Sequence, residues 1–159
     1  MLAAALAHHQ TGRFDDAQAL YERILAADPV QGTALANLAM LHQRRLSFDE
    51  AERCYAKALT VKRTPALLSN LSVLRRVQGN FADAERLLIE ALALEPGRTD
   101  MLYNLGLTRV DAGRPAEAIE PFLQATRDPN AHPEIFANLA RAYLSIGRRE
   151  EALRHGEEA

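Results

Sequence analysis

Leu35, Leu38, Ala39 and His42 fall at i, i+3, i+4 and i+7, and Phe48, Ala51, Tyr55 and Ala58 return at a helical spacing a few residues later. At 3.6 residues per turn each set shares one face, so the two stretches predict two helices, each apolar on one side. The pattern then recurs along the whole chain. Second-helix segments begin at "TGRFDDAQALYERIL" (11–25), "LSFDEAERCYAKAL" (46–59), "QGNFADAERLLIEAL" (78–92), "DAGRPAEAIEPFLQAT" (111–126) and "SIGRREEALRHGEEA" (145–159). Their anchor alanines, Ala17, Ala51, Ala84, Ala118 and Ala152, are spaced 34, 33, 34 and 34 residues. A fixed period of this length is the mark of a helical repeat array.

Local punctuation agrees. Gly12, Gly79, Gly113 and Gly147 stand between the two helices of a unit as residues free to take positive φ, and Leu46 stands where the second unit should have its glycine. Pro65 and Pro133 open first helices, where a missing N–H costs nothing, and Pro29, Pro96 and Pro129 close units. The expected units are about 1–31, 32–64, 65–98, 99–132 and a truncated fifth, 133–159, forming a single array. In the last helix Gly156 replaces the large residue that its siblings carry (Tyr21, Tyr55, Leu88, Phe122). The C-terminal end is therefore expected to be open: frayed from about Arg148, or presenting Phe136, Leu139 and Tyr143 for self-association.

This organisation resembles the tetratricopeptide repeat (TPR). The family pattern W-x₂-L-G-x₂-Y…A-x₃-F…P maps onto Leu102, Leu105, Gly106, Arg109, Ala118, Phe122 and Pro129, and in the third unit onto Leu68, Leu71, Ser72, Arg75, Ala84, Leu88 and Pro96. The tryptophan is absent throughout, and the tyrosine survives only as Tyr143, with His8, His42, Arg75 and Arg109 at the equivalent positions. The resemblance implies an all-α, right-handed superhelical solenoid of antiparallel helix pairs, with ligands taken on the concave side lined by first helices.

Asparagine recurs in the middle of four first helices, as Asn37, Asn70, Asn104 and Asn138. An internal helical asparagine costs roughly half a kcal/mol relative to alanine, so an offsetting role is expected. The series is similar to the asparagine ladder of the TPR superhelix in O-linked N-acetylglucosamine transferases, which holds extended peptides by their backbone; Ala3 breaks it in the first unit. On that resemblance Met40, Val73, Tyr103 and Leu107 would receive apolar side chains, and Arg44, Arg76 and Arg141 would favour acidic flanks, although Asp100, Asp111 and Glu134 make the wall mixed. The competing explanation is that the amides tie neighbouring helices together. A lysine-based carboxylate clamp of the chaperone-adaptor kind is not expected, because Lys57 and Lys62 both lie off the first helices.

Composition narrows the function classes. With 48% hydrophobic and 25% charged residues in 159, the chain has the balance of a folded domain, and a net charge of −2 gives no basic excess for nucleic acid or anionic lipid. Seventeen arginines against two lysines suggest coding bias, as in a GC-rich bacterium. Cys54 is a lone cysteine without a paired base, and the five histidines lack partners at ligand spacing, so neither a catalytic thiol nor a metal centre is expected. The apolar start "MLAAALAHHQ" is too short for a signal peptide, and nothing approaches a membrane span, which points to the cytoplasm. The expected function is a non-enzymatic, cofactor-free module that binds a protein or extended peptide. The alternatives are the substrate-recruiting arm of a larger enzyme, such as a glycosyltransferase, and a self-associating scaffold.

Overall fold

The computed structural model describes residues 1–156. Ten α-helices occur among them: α1 (Leu2–Gln10), α2 (Phe14–Ala27), α3 (Gly32–Arg44), α4 (Phe48–Val61), α5 (Pro65–Val77), α6 (Phe81–Leu94), α7 (Thr99–Asp111), α8 (Pro115–Ala125), α9 (Pro133–Ser145) and α10 (Arg149–Gly156). Odd helices are the first helices of the predicted pairs and even helices the second. The chain divides into two compact units, one ending at Leu74 and the other beginning at Arg75, so the division falls inside α5.

One turn design serves both units. The backbone N–H groups of Arg13, Ser47, Asn80, Arg114 and Arg148 donate to the carbonyls of His8, His42, Arg75, Arg109 and Tyr143, each five residues back, at 2.8–3.0 Å. This bond satisfies a carbonyl that the end of the first helix would leave orphaned, and it requires a left-handed residue just before the donor. Gly12, Gly79, Gly113 and Gly147 supply it with φ of 75–81°, as the sequence predicts. Leu46 adopts the same conformation at φ 60°, with its side chain largely in solvent. The turn therefore forms without its glycine, at a cost of roughly 1 kcal/mol of backbone strain.

Packing inside a pair follows the alanine series. Ala17, Ala51, Ala84 and Ala118 are fully buried, and the large residue four positions on (Tyr21, Tyr55, Leu88, Phe122) is buried with it. Small residues let the helices approach, and the large one fills the gap that they leave. The limit is reached at Gly106, where an added Cβ would overlap the Phe122 ring. In unit 1 a core joins Ala5, Ala17, Tyr21, Ala34, Leu38 and Leu41. In unit 2 one core joins Ala118, Phe122, Leu139, Tyr143 and Ala152, and another joins Leu102, Ala125 and Ile135.

The C-terminal pair corrects part of the sequence expectation. Leu139 and Tyr143 are buried rather than presented, because α10 forms and packs on α9. With no large residue at 156, Tyr143 is covered from α10 by the His155 ring, stacked at 5.8 Å, and by the Arg148 guanidinium at 5.0 Å. Fraying expected at 157–159 lies outside the described residues.

Candidate peptide-binding surface

In unit 1 the candidate surface is carried by α3 and α5. Asn37 Nδ2 donates to the Thr33 carbonyl at 2.8 Å, a bond back to its own helix one turn earlier. That accounts for one amide hydrogen; the group has a second hydrogen and a carbonyl oxygen to offer. Asn70 Nδ2 instead reaches across to α3 and lies 3.7 Å from Met40 Sδ, a weak acceptor. Asn70 also lines a cavity of about 280 Å³ with Thr33, Ala36, Lys62, Ala66 and Leu67. Met40 is exposed and Val73 half-buried. Arg44 is exposed, and its guanidinium lies 4.4 Å above the Phe14 ring at the start of α2.

In unit 2 the surface is carried by α7 and α9. Asn138 Nδ2 donates to the Glu134 carbonyl and to the Tyr103 hydroxyl, both at 2.8 Å, and so ties α9 to α7. Tyr103 and Leu107 are half-buried and pack against the core around Phe122 and Leu139, so only part of each side chain faces outward. Asn104 is likewise half-buried. Arg76 pairs with Asp111 at 2.6 Å, and Arg141 is exposed. Two cavities flank the Asn138–Tyr103 bond. One, of about 420 Å³, is lined by Thr99, Asp100, Tyr103, His132 and Glu134; the other, of about 370 Å³, by Val110, Pro115, Asn138, Arg141 and Ser145. Burial, and then the negative charge of Glu134, raise the Tyr103 phenol above its ordinary pKa, so it stays protonated at neutral pH and can donate as well as accept.

The four asparagines thus share a place in the repeat but not a set of partners. Helix-tying, the competing explanation, is realised at Asn138 and, through a weak contact, at Asn70; Asn37 bonds within its own helix.

One charged cluster in unit 2 has no counterpart in the sequence reading. Glu85 on α6 accepts from Arg109 Nε at 2.8 Å and from Arg114 Nη2, while Arg109 Nη1 donates to the Glu117 carbonyl at 2.8 Å. Pro121 lies inside α8, four residues after Glu117, and lacks the N–H that would have bonded that carbonyl. Arg109, at the position where the family has tyrosine, supplies the missing donor. Burial pushes the Glu85 carboxyl up, but the hydrogen bonds from Arg114 and Arg109 outweigh it and hold the group below its ordinary range. The signal available in the sequence was "EPF" at 120–122, a proline in a helix interior one turn beyond an otherwise ordinary glutamate.

Among the described residues no group of three or more His, Cys, Asp or Glu side chains is placed to hold a metal ion, and no helix is long and apolar enough to cross a membrane. Burial raises the pKa of the half-buried Cys54 thiol despite the nearby Arg53 and Lys57, the opposite of what activates a nucleophile.

Comparison with known proteins agrees with the helix-pair architecture. A family model described as tetratricopeptide repeat matches residues 2–67 and again 70–133, and a second model of the same description matches 134–159. The type IV pilus assembly protein PilF of Pseudomonas aeruginosa is 29% identical over 138 residues, which is 85% of this chain and 55% of PilF. The chain therefore spans about half the length of that relative. A solved structure of PilF superposes with a TM-score of 0.88 at 26% identity, covering 97% of this chain and 71% of the other. MamA superposes at 0.85 with 22% identity (97% and 91% covered). YrrB, described as a TPR protein with an unusual peptide-binding site, superposes at 0.76 with 22% identity (97% and 80%). At 22% the last two likenesses concern the fold alone.

Proposed function

The chain belongs to the tetratricopeptide-repeat family, and from that premise we propose that it is a non-enzymatic protein-binding module whose first helices hold an extended segment of a partner, partly through that segment's backbone. One observation carries this reading. Within each unit a half-buried carboxamide stands beside a partly exposed apolar side chain and next to a cavity: Asn70, beside Met40, lines one in unit 1, and Asn138 and its partner Tyr103 each line one in unit 2. A carboxamide with a free hydrogen and a free oxygen, as at Asn70, can pair with a peptide unit whatever side chain that unit bears, while Asn138, with both hydrogens engaged, contributes its oxygen. The apolar surface beside it supplies burial without demanding one sequence.

The relationship to PilF favours one kind of partner, a subunit of a larger assembly, over a free peptide ligand. Cross-linking in cells from Met40 and Tyr103 sites should then give assembly components rather than a spread of unrelated chains.

The binding test is a panel of immobilised extended peptides, read with the wild-type chain and with Asn70→Ala plus Asn104→Ala. Each amide contact contributes on the order of 0.5–1.5 kcal/mol, so the double variant should bind roughly five- to 150-fold more weakly. Its melting temperature should be nearly unchanged. A variant that loses several degrees while keeping its peptides would make the amides structural and overturn the backbone-pairing reading.

A further inference from the structure

The α7/α9 surface of unit 2 is electrically polar along its length. Both helices run the same way, because each is antiparallel to α8 between them. At their N-terminal ends lies the cavity holding Asp100 and Glu134. Arg98 is committed to Asp100 (3.0 Å) and to Glu95 (2.9 Å), which leaves Glu134 as the carboxylate there in no ion pair among the described residues. Towards the C-terminal ends lies the cavity holding Arg141. Arg76 is committed to Asp111 at 2.6 Å, and Arg141 is the cation among the residues lining that cavity. Asn138 sits between the two charges, four residues after Glu134 and three before Arg141, with its amide anchored on the Tyr103 hydroxyl.

Glu134 and Arg141 are seven residues apart on one helix, a separation of about 10 Å at 1.5 Å per residue. They are too far apart to neutralise each other. An extended chain of the polyproline-II type has three residues per turn and advances about 9 Å over them, bringing side chains i and i+3 to the same side. The two spacings match.

We propose that unit 2 selects an extended segment bearing one basic and one acidic side chain three residues apart, the basic group entering the cavity at Glu134 and Tyr103 and the acidic group meeting Arg141. The proposal rests on the peptide-binding reading above and adds to it the partner's charge pattern. Charge complementarity is what commits the surface to this occupant. A segment with two like charges would satisfy one end and be repelled at the other, and an uncharged one would leave both charges solvated. Between the two charges Asn138, whose amide hydrogens go to the Glu134 carbonyl and the Tyr103 hydroxyl, has its carboxamide oxygen to offer to the intervening backbone.

The test titrates the full chain, by NMR, with blocked ten-residue peptides whose centres read Lys-Ala-Pro-Glu, Glu-Ala-Pro-Lys, Gln-Ala-Pro-Gln, Lys-Ala-Pro-Lys and Glu-Ala-Pro-Glu. At least one of the two opposite-charge orders should bind about tenfold more tightly than the neutral peptide and both like-charge peptides. That advantage should shrink when salt is raised from 50 to 500 mM, as it does for exposed ion pairs. Glu134→Gln with Arg141→Gln, both at exposed positions, should abolish the preference while leaving the circular dichroism spectrum unchanged. If neutral and opposite-charge peptides bind wild type equally, the charge proposal is overturned and the peptide-binding reading stands. If neither these nor the peptides of the wider panel bind, both fall. A preference that survives in the double variant assigns the selectivity to other residues and also overturns the proposal.

Discussion

Units 1 and 2 use one turn bond and one alanine series, yet they solve the same packing position with different chemistry. In unit 1 the residue that accepts the turn bond is histidine. His8 Nδ1 lies 3.9 Å from the Asp16 carboxylate, outside hydrogen-bond reach, and the first helices α3 and α5 meet through an amide over a thioether. In unit 2 that position holds Arg75, Arg109 and Tyr143; Arg109 is clamped between Glu85 and the Glu117 carbonyl, and the first helices α7 and α9 meet through a full-strength Asn138–Tyr103 bond. The repeat asks only for the backbone carbonyl of that residue. Its side chain is free to change, and where α8 acquired a proline an arginine could repair the lost bond.

The sharpest way to break the comparison is at the clamp. Arg109→Ala leaves the Glu117 carbonyl without its donor and Glu85 with Arg114 as its remaining cation; it should destabilise unit 2 by about 2–4 kcal/mol. His42→Ala, the equivalent change in unit 1, should cost about 1 kcal/mol or less. Urea unfolding, with amide exchange to assign the loss to a unit, separates the two. Equal effects would mean that the clamp is incidental.

Acid should divide the units next. His9 has a lowered pKa, through burial and then the charge of Arg44. Its folded state resists protonation, so its contribution is full above the ordinary histidine value of 6.5 and is lost as pH falls through the lowered one. Glu85 is also lowered, but from 4.5, so its contribution persists at mildly acid pH and is lost only as pH falls below that value. Amide protection in α1 and α2 should therefore decline as pH falls below about 6.5, while that in α6 to α8 holds until below about 4.5. His9→Gln and Glu85→Gln should each flatten only their own unit's profile.

The smallest effect sharpens what the units share. Leu46→Gly removes the left-handed strain at the single turn lacking glycine and should stabilise unit 1 by about 0.5–1 kcal/mol, net of glycine's greater unfolded-state freedom. Gly113→Leu, the reverse change in unit 2, should lose a similar amount. Thermal melts of both variants would show whether the turns are interchangeable.

The sequence by itself determined the helix pairs, their period, the turn positions and the buried alanine series, because helices and turns depend on residues at most one or two helical turns apart and the repeat shows itself as spacing along the chain. It also placed Asn37, Asn70, Asn104 and Asn138 on the first helices. Where each amide points was decided only by tertiary structure: Asn138 found Tyr103 thirty-five residues away, whereas Asn37 had no such hydroxyl and folded back on its own helix. Arg109 teaches the same lesson with two partners at once. Read along the chain it is a departure from a family pattern, and its reason appears only when packing brings Glu85 from α6 and the carbonyl exposed by Pro121 in α8 to either side of one guanidinium. Helix periodicity fixes which face a side chain leaves from; the partner it meets depends on how neighbouring helices are docked, and that geometry is set jointly by many small contacts that no single stretch of sequence records.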